Sequence, residues 1–309
     1  MFDSTPLRRP VPLPQSAGFR RAARLLGLPL EEITLTAEGQ PLALALMQTR
    51  RLPLIGRVGL ISRGPLWAGA PDAGHLAAAL RALRHPVLLN AETDPPGQLA
   101  QAGFLPIMTP ATLARLDLRG SATDRRARMQ QKWRNRLYRA EETPLKIRRS
   151  VLPPDPNHWL LAAERQQRRT RRYTGLPPEF CAAWSEANPH MAQLFTAELH
   201  GQPVAAMLFL RHGQSATYQV GHTTEAGRAL HAHSLLLSRA ADWLADHGTD
   251  WLDLGTLDTV NAPGLARFKL GAGASPYRLG GTWLWSRQTA PLARRLPAPS
   301  RADPPSLCQ

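Results

Sequence analysis

A chain of 309 residues, 43% hydrophobic and 20% charged, holds enough apolar surface for two ordinary cores and is not a disordered protein. Its net charge of +15 favours phosphate-bearing partners; of 38 basic residues only Lys132, Lys146 and Lys269 are lysines, leaving 35 arginines. Cys181 and Cys308 lie too far apart for a disulfide framework or a thiolate zinc site, and no apolar run reaches the about 18 residues that span a bilayer. The proline-rich start has no apolar core of a signal peptide, so a cytoplasmic protein is expected.

In chain order, residues 1–16 lack periodicity and read as a loose tail, and Phe19–Leu26 as a short helix. Ile33–Ala37 and Leu42–Gln48 flank a Glu38-Gly39-Gln40 turn and form a hairpin, with Val58–Ser62 as a third strand. Asp72 caps a helix running through Leu83; Val87–Asn90 is a buried strand, 97–102 a helical stub and Leu113–Leu118 a closing strand. Ser121 and Asp124 form a capping box for a basic helix over 121–142, with Met129, Trp133, Leu137 and Ala140 on its apolar side. A second arginine-rich helix follows from His158, with Arg165, Arg168, Arg169, Arg171 and Arg172. Leu194–Leu199 and Val204–Arg211 then form a hairpin, Ala216–Val220 a third strand, and Arg228–His247 a long helix. Trp251–Leu254, a helical turn at Ala262–Lys269 and a strand over Tyr277–Trp285 close the chain before a tail at 288–309.

The same plan therefore runs twice, and two echoes support a duplication. Thr36-Ala37-Glu38-Gly39-Gln40-Pro41 returns as Thr196-Ala197-Glu198-Leu199-His200-Gly201-Gln202-Pro203, with two residues added in the turn. Pro96-Gly97-Gln98-Leu99-Ala100 returns as Pro263-Gly264-Leu265-Ala266. Only the second copy continues into Arg267-Phe268-Lys269, so the chemistry is sought there. The expected boundaries are a domain over 17–120, a basic bridging helix over 121–142 and a second domain over 143–287. The fold class is α/β (α+β): two mixed, mostly antiparallel sheets flanked by helices.

Several ordered pieces carry a resemblance: Arg63-Gly64-Pro65, Gly103-Phe104 with Met108–Leu118, the Lys132–Glu141 helix, Leu252-Asp253-Leu254-Gly255 and Gly264–Gly271. Together, over about residues 57–285, they resemble the Fem-type aminoacyltransferases and related acetyltransferase-domain proteins, which are tandem GNAT folds. Gly255-Thr256 stands where that family often has two glycines, and Gly271 arrives one residue early. The coiled-coil arm that some members insert, a part associated with tRNA binding, has no counterpart. The resemblance implies transfer of an aminoacyl or acyl group to an amine, with a cell-wall precursor as one acceptor class. It also places Phe268 and Lys269 at the acyl-donor end of the site.

Acyl transfer to an amine needs a held donor, a deprotonated amine and stabilisation of the oxyanion. Lys269 is the candidate for the last; the alternative is a solvated lysine closing a short helix. Asp253, at a strand end, either orients the amine and takes its proton or bonds the backbone of the following turn. His222, His231 and His233 surround the start of the long helix as possible bases, and Phe268 and Arg267 flank the lysine. In the basic helix, Arg134 is the expected phosphate contact, while Trp133 is either aromatic surface or core. No set of ligands with metal spacing occurs, so no metal is expected.

An acyl-CoA loop reads Arg/Gln-x-x-Gly-x-Gly/Ala at a helix start, with glycine admitting the pyrophosphate to backbone N–H groups. Here Arg228-Ala229-Leu230-His231-Ala232-His233 puts histidine at both glycine positions. That tilts the donor, a co-substrate and not a tightly bound cofactor, toward aminoacyl-tRNA and away from acetyl-CoA. An acetyl-CoA-dependent N-acetyltransferase remains the second reading, and a non-catalytic protein binding RNA or anionic lipid the third. An inner-leaflet lipid precursor as acceptor would bring the protein to the inner membrane face. Oligomeric state is left open.

Overall fold

The computed structural model describes residues 10–53, 55–94, 97–171 and 175–295. Pro96 of the second echo, Arg172 of the second basic helix and the outer parts of both expected tails lie outside them. The strands in chain order are β1 (Leu30–Ala37), β2 (Gln40–Leu52), β3 (Gly56–Gly64), β4 (Leu66–Trp67), β5 (Val87–Ala91), β6 (Leu105–Met108) and β7 (Thr112–Asp117). The second half contributes β8 (Lys146–Val151), β9 (Ala192–Leu199), β10 (Gln202–His212), β11 (Ser215–Thr223), β12 (Trp251–Thr256), β13 (Ser275–Arg278) and β14 (Gly281–Trp285).

The chain divides into two units that interleave in sequence: Met1–Pro29 with Ala111–Arg278, and Leu30–Pro110 with Leu279–Gln309. This departs from the expected domains over 17–120 and 143–287, and the reason is a reciprocal placement of one strand from each half. In the Leu30–Pro110 unit the sheet order is β1-β2-β3-β5-β14-β6, with β4 on β2. In the Ala111–Arg278 unit it is β13-β7-β12-β11-β10-β9-β8. β14 lies between β5 and β6, and β7 between β12 and β13, all antiparallel. The expected single strand over Tyr277–Trp285 is therefore two strands in different sheets, separated where Gly281 takes φ 93°. The basic segment 121–142 is not a bridge either: it breaks into helices Ala122–Ala127 and Gln131–Glu141, and Met129, Trp133, Leu137 and Ala140 are all buried in the larger unit's core.

The duplication is visible in backbone detail. Each sheet has one parallel pair at its centre, β3 with β5 and β11 with β12. Both echo hairpins turn through two residues with positive φ, Glu38 (50°) and Gly39 (76°), then His200 (51°) and Gly201 (79°). Positive φ at both central residues is the turn that matches strand twist. The two added residues of the second echo therefore extend the strand and leave the turn unchanged: Glu198 pairs Pro203 and Leu199 pairs Gln202. In each copy the residue after the proline, Leu42 or Val204, is skipped by the pairing register.

Local signals explain the rest. Ser121 and Asp124 close a capping box, Asp124 N–H to Ser121 Oγ at 3.1 Å and Ser121 N–H to Asp124 Oδ2 at 2.9 Å. Asp72 caps the Ala73–Leu80 helix through His75 N–H at 3.0 Å. The expected tails are partly structured: Leu13 is buried, and Ser16 caps the Ala17–Leu25 helix, whose Phe19 ring lies 5.0 Å from Phe180. At the other end Ala290 and Ala293 are buried on a short helix in the smaller unit. The strands β4, β6 and β8 and the Pro178–Ala187 helix carried no sequence expectation; β6 and β8 are short edge strands dominated by exposed residues.

Candidate active site

In the Ala111–Arg278 unit the central sheet opens. β11 and β12 pair only from Ser215, Ala216 and Thr217 to Trp251, Leu252 and Asp253. Beyond Thr217, β11 runs on to Thr223 paired with β10 alone, its register shifted where Gln219 is skipped. In the smaller unit the corresponding pair stays joined from Gly59 to Gly64. Open α/β sheets admit ligands at the carboxyl ends of their strands, and only one copy here has parted them.

Lys269 stands at the end of β12. Its helix, Pro263–Gly271, starts with proline at the first turn and buries Ala266, Lys269 and Gly271. The lysine is 4% exposed, and Nζ donates to the Thr256 carbonyl at 2.7 Å. Burial lowers its pKa to about 8, while the Asp253 carboxylate pulls the other way. Asp253 is held in turn by the Gly255 N–H at 2.7 Å. Gly255 takes φ 78°, and a Cβ there would stand 3.7 Å from Nζ. One of the two readings of Asp253 had it bonding the backbone at 256–258; the bond found is to the Gly255 N–H, within β12.

Phe268 is half-buried between Trp133, at 6.0 Å between ring centres, and His233, at 6.3 Å. Trp133 is thus core, as one of its two readings had it. The expected long helix over Arg228–His247 is two helices, Glu225–Ala229 and Ala232–Asp246, because His231 takes a left-handed backbone with φ 51° and ψ 32°. His233 Nε2 lies 2.9 Å from the His222 carbonyl. A carbonyl only accepts, so this nitrogen carries the proton and His233 ties the helix to the free side of β11. His222 meets the half-exposed Trp159 edge-on, at 6.2 Å. Burial lowers the pKa of all three histidines; Arg228 adds to the effect at His222 and His233, and Arg136 and Arg139 at His231.

The structure therefore brings together Lys269, Asp253, Phe268 and His233, with His222 and Arg228 alongside. Arg228 is exposed and donates to the Thr223 carbonyl at 3.1 Å. Arg267 lies on the exposed side of its helix, away from the buried lysine. Arg134 donates to the Ala127 carbonyl at 3.4 Å and so closes its own loop, while Lys132, Arg136 and Arg139 stay exposed. Sequence reasoning missed Thr256, which acts through a carbonyl that no side chain advertises, and Trp159. Among the described residues no group of three or more His, Cys, Asp or Glu is placed to hold a metal.

A duplicated sheet with one parallel central pair, opened in the copy that holds a buried ammonium, defines an acyltransferase of tandem GNAT architecture. Residues 124–278, half of the chain, match the family described as Acetyltransferase (GNAT) domain, and the chain belongs to that family. No curated protein is similar to it in sequence. Among solved structures it is similar in fold to FemX, with TM-score 0.71, 14% identity and coverage of 91% of this chain and 93% of that one. It is also similar to the C-terminal domain (DUF2156) of a putative lysylphosphatidylglycerol synthetase from Agrobacterium fabrum, with TM-score 0.55, 13% identity and 91% of each chain covered. L-PGS from Bacillus licheniformis gives TM-score 0.52 at 12% identity over 93% and 96%. These likenesses bear out the tandem GNAT fold that the Fem-type motifs implied.

Proposed function

We propose that this enzyme transfers an aminoacyl group from an RNA-borne ester to an amine, with Lys269 supplying the cation that meets the oxyanion of the tetrahedral intermediate. The observation that carries this reading is the buried Lys269 ammonium, one donor on the Thr256 carbonyl and two left over, beside the open ends of β11 and β12. Asp253 keeps that nitrogen charged and offers a carboxylate toward the attacking amine. His222 is the neutral base best placed to take the amine's proton, because His233 is committed to a backbone carbonyl. Phe268 forms the wall beside the reacting carbonyl.

The acceptor class to test first is an amine on a cell-wall precursor, with an aminated lipid headgroup second. Such an acceptor would hold the enzyme at the inner membrane face; among the described residues no helix is long and apolar enough to cross a membrane.

Acetyl-CoA as donor is the second reading, and one observation favours it. His231 adopts the left-handed backbone that a glycine of a pyrophosphate loop would supply, at a cost of about 1–2 kcal/mol for a residue with a Cβ. The other glycine position is filled by His233, whose ring is tied down, so a backbone cradle is only half built. Assays supplying acetyl-CoA and aminoacyl-RNA separately decide between donors. Under either, Lys269→Ala should lower kcat by roughly 100- to 1,000-fold. Unchanged transfer by that variant would remove Lys269 from the chemistry.

A further inference from the structure

The basic segment 125–139 is not uniformly available to a partner. Arg125 is buried and bonded to Asp242 at 2.7 Å, and Arg126 is paired with Glu141. Lys132, Arg136 and Arg139, by contrast, are exposed and form no ion pair or hydrogen bond among the described residues. Their i, i+4, i+7 spacing places them on one stripe of the Gln131–Glu141 helix, and at 1.5 Å per residue the stripe is about 10 Å long. The face of the same helix that flanks the stripe is anchored in the core through Trp133 and Leu137, so the stripe is fixed in place.

The stripe leads to the site. Arg136 and Arg139 act electrostatically on His231, whose N–H donates to the Arg228 carbonyl at 3.1 Å. Arg228 acts likewise on His222 and His233, and His233 faces Phe268, the neighbour of Lys269. A row of this length exceeds what one diphosphate needs and suits several successive phosphates. The large apolar residue exposed on the helix is Tyr138, off the stripe and with its ring under Arg126, so the cations lack the apolar face that an interfacial helix inserts into a bilayer.

We propose that Lys132, Arg136 and Arg139, continued by His231 and Arg228, form the track for the phosphodiester backbone of an RNA strand whose 3′ end is delivered to Lys269; this rests on the RNA-borne donor proposed above. Binding through such a track is independent of base sequence and steeply salt-dependent, each phosphate contact on a single strand contributing about 0.7 to the slope of log Kd against log salt.

The test is fluorescence anisotropy of a labelled RNA hairpin with a single-stranded 3′ tail, titrated with the full-length protein over a salt series. The triple variant Lys132→Glu/Arg136→Glu/Arg139→Glu changes exposed side chains only, and its Tm reports folding. It should bind at least about tenfold more weakly at low salt, with a slope flatter by about 2. Arg239→Glu, an exposed cation on the Ala232–Asp246 helix, should bind within about twofold of the parent. The track is refuted if the triple variant binds like the parent, or if Arg239→Glu loses as much. It is also refuted, in favour of a lipid surface, if the parent binds phosphatidylglycerol vesicles and not RNA and the triple variant loses the vesicles. Transfer from acetyl-CoA alone, with RNA still held through the stripe, overturns the donor reading and leaves the track standing. Transfer from aminoacyl-RNA with unimpaired binding by the triple variant does the reverse.

Discussion

Trp133 lies so close on Gly271 that a Cβ at the glycine would stand 2.8 Å from the indole Cδ1. The Gln130 N–H donates to the Gly271 carbonyl at 2.9 Å in the same contact. The helix that carries Phe268 and Lys269 is docked here.

Gly271→Ala should therefore push the indole away, shift Phe268 with it and cost about 1–3 kcal/mol. Transfer should fall with stability, and Trp133→Phe in the same chain should recover part of both. Thermal unfolding and transfer rates of the two single variants and the double give the coupling, which should exceed about 0.5 kcal/mol.

Lys269→Met should make the protein more stable while disabling it. A lysine held near pH 8 in place of 10.5 corresponds to about 3 kcal/mol of burial cost at pH 7, and the orphaned Thr256 carbonyl returns about 1 kcal/mol of that. A net gain of about 2 kcal/mol at pH 7 is expected. Below pH 8 the lysine is charged in both folded and unfolded states, so the cost is present in full. Between about 8 and 10.5 only the unfolded chain holds the proton, the cost is relieved, and the advantage of methionine shrinks. Denaturant titrations at pH 7 and at pH 10 check the sign.

The rate should follow the same group in the opposite sense. If Lys269 acts as a cation, kcat/KM declines as pH rises through about 8, where the ammonium loses its proton. The neutral His222, lowered by burial and by Arg228, places the rising limb on the acid side of its ordinary range. Lys269→Arg keeps the charge and should abolish the alkaline limb, at a reduced rate, because a planar fork does not replace a compact ammonium.

His231→Gly should stabilise the fold by about 1 kcal/mol, since glycine takes φ 51° without the Cβ clash. The variant also completes one glycine position of a pyrophosphate loop. Tighter CoA binding by isothermal titration would support the acetyl-CoA donor, and unchanged binding would count against it.

The opening of β11 from β12 had no signature in the sequence. Skipping Gln219 is a matter of register, and register is decided by which neighbouring strands compete for the same backbone groups. Arg134 illustrates the same gap within one helix: its spacing does not reveal that its guanidinium turns back onto the Ala127 carbonyl while Arg136 and Arg139 remain outside. The single run read over Tyr277–Trp285 failed for a related reason. Alternating apolar residues identify a strand without identifying its sheet.

Local chemistry, by contrast, was legible: the Ser121–Asp124 capping box, the two positive-φ hairpin turns of the echo, and the buried stripe from Met129 to Ala140. Such features depend on residues a few positions apart, whose geometry the chain itself dictates. The duplication and the lysine unique to its second copy belong with them. Tertiary structure alone decided that β7 joins the sheet of the second half and β14 that of the first, that one sheet parts and its twin does not, and that Lys269 is enclosed. Those outcomes depend on hydrogen-bond partners and core contacts supplied from far along the chain, which no local pattern encodes.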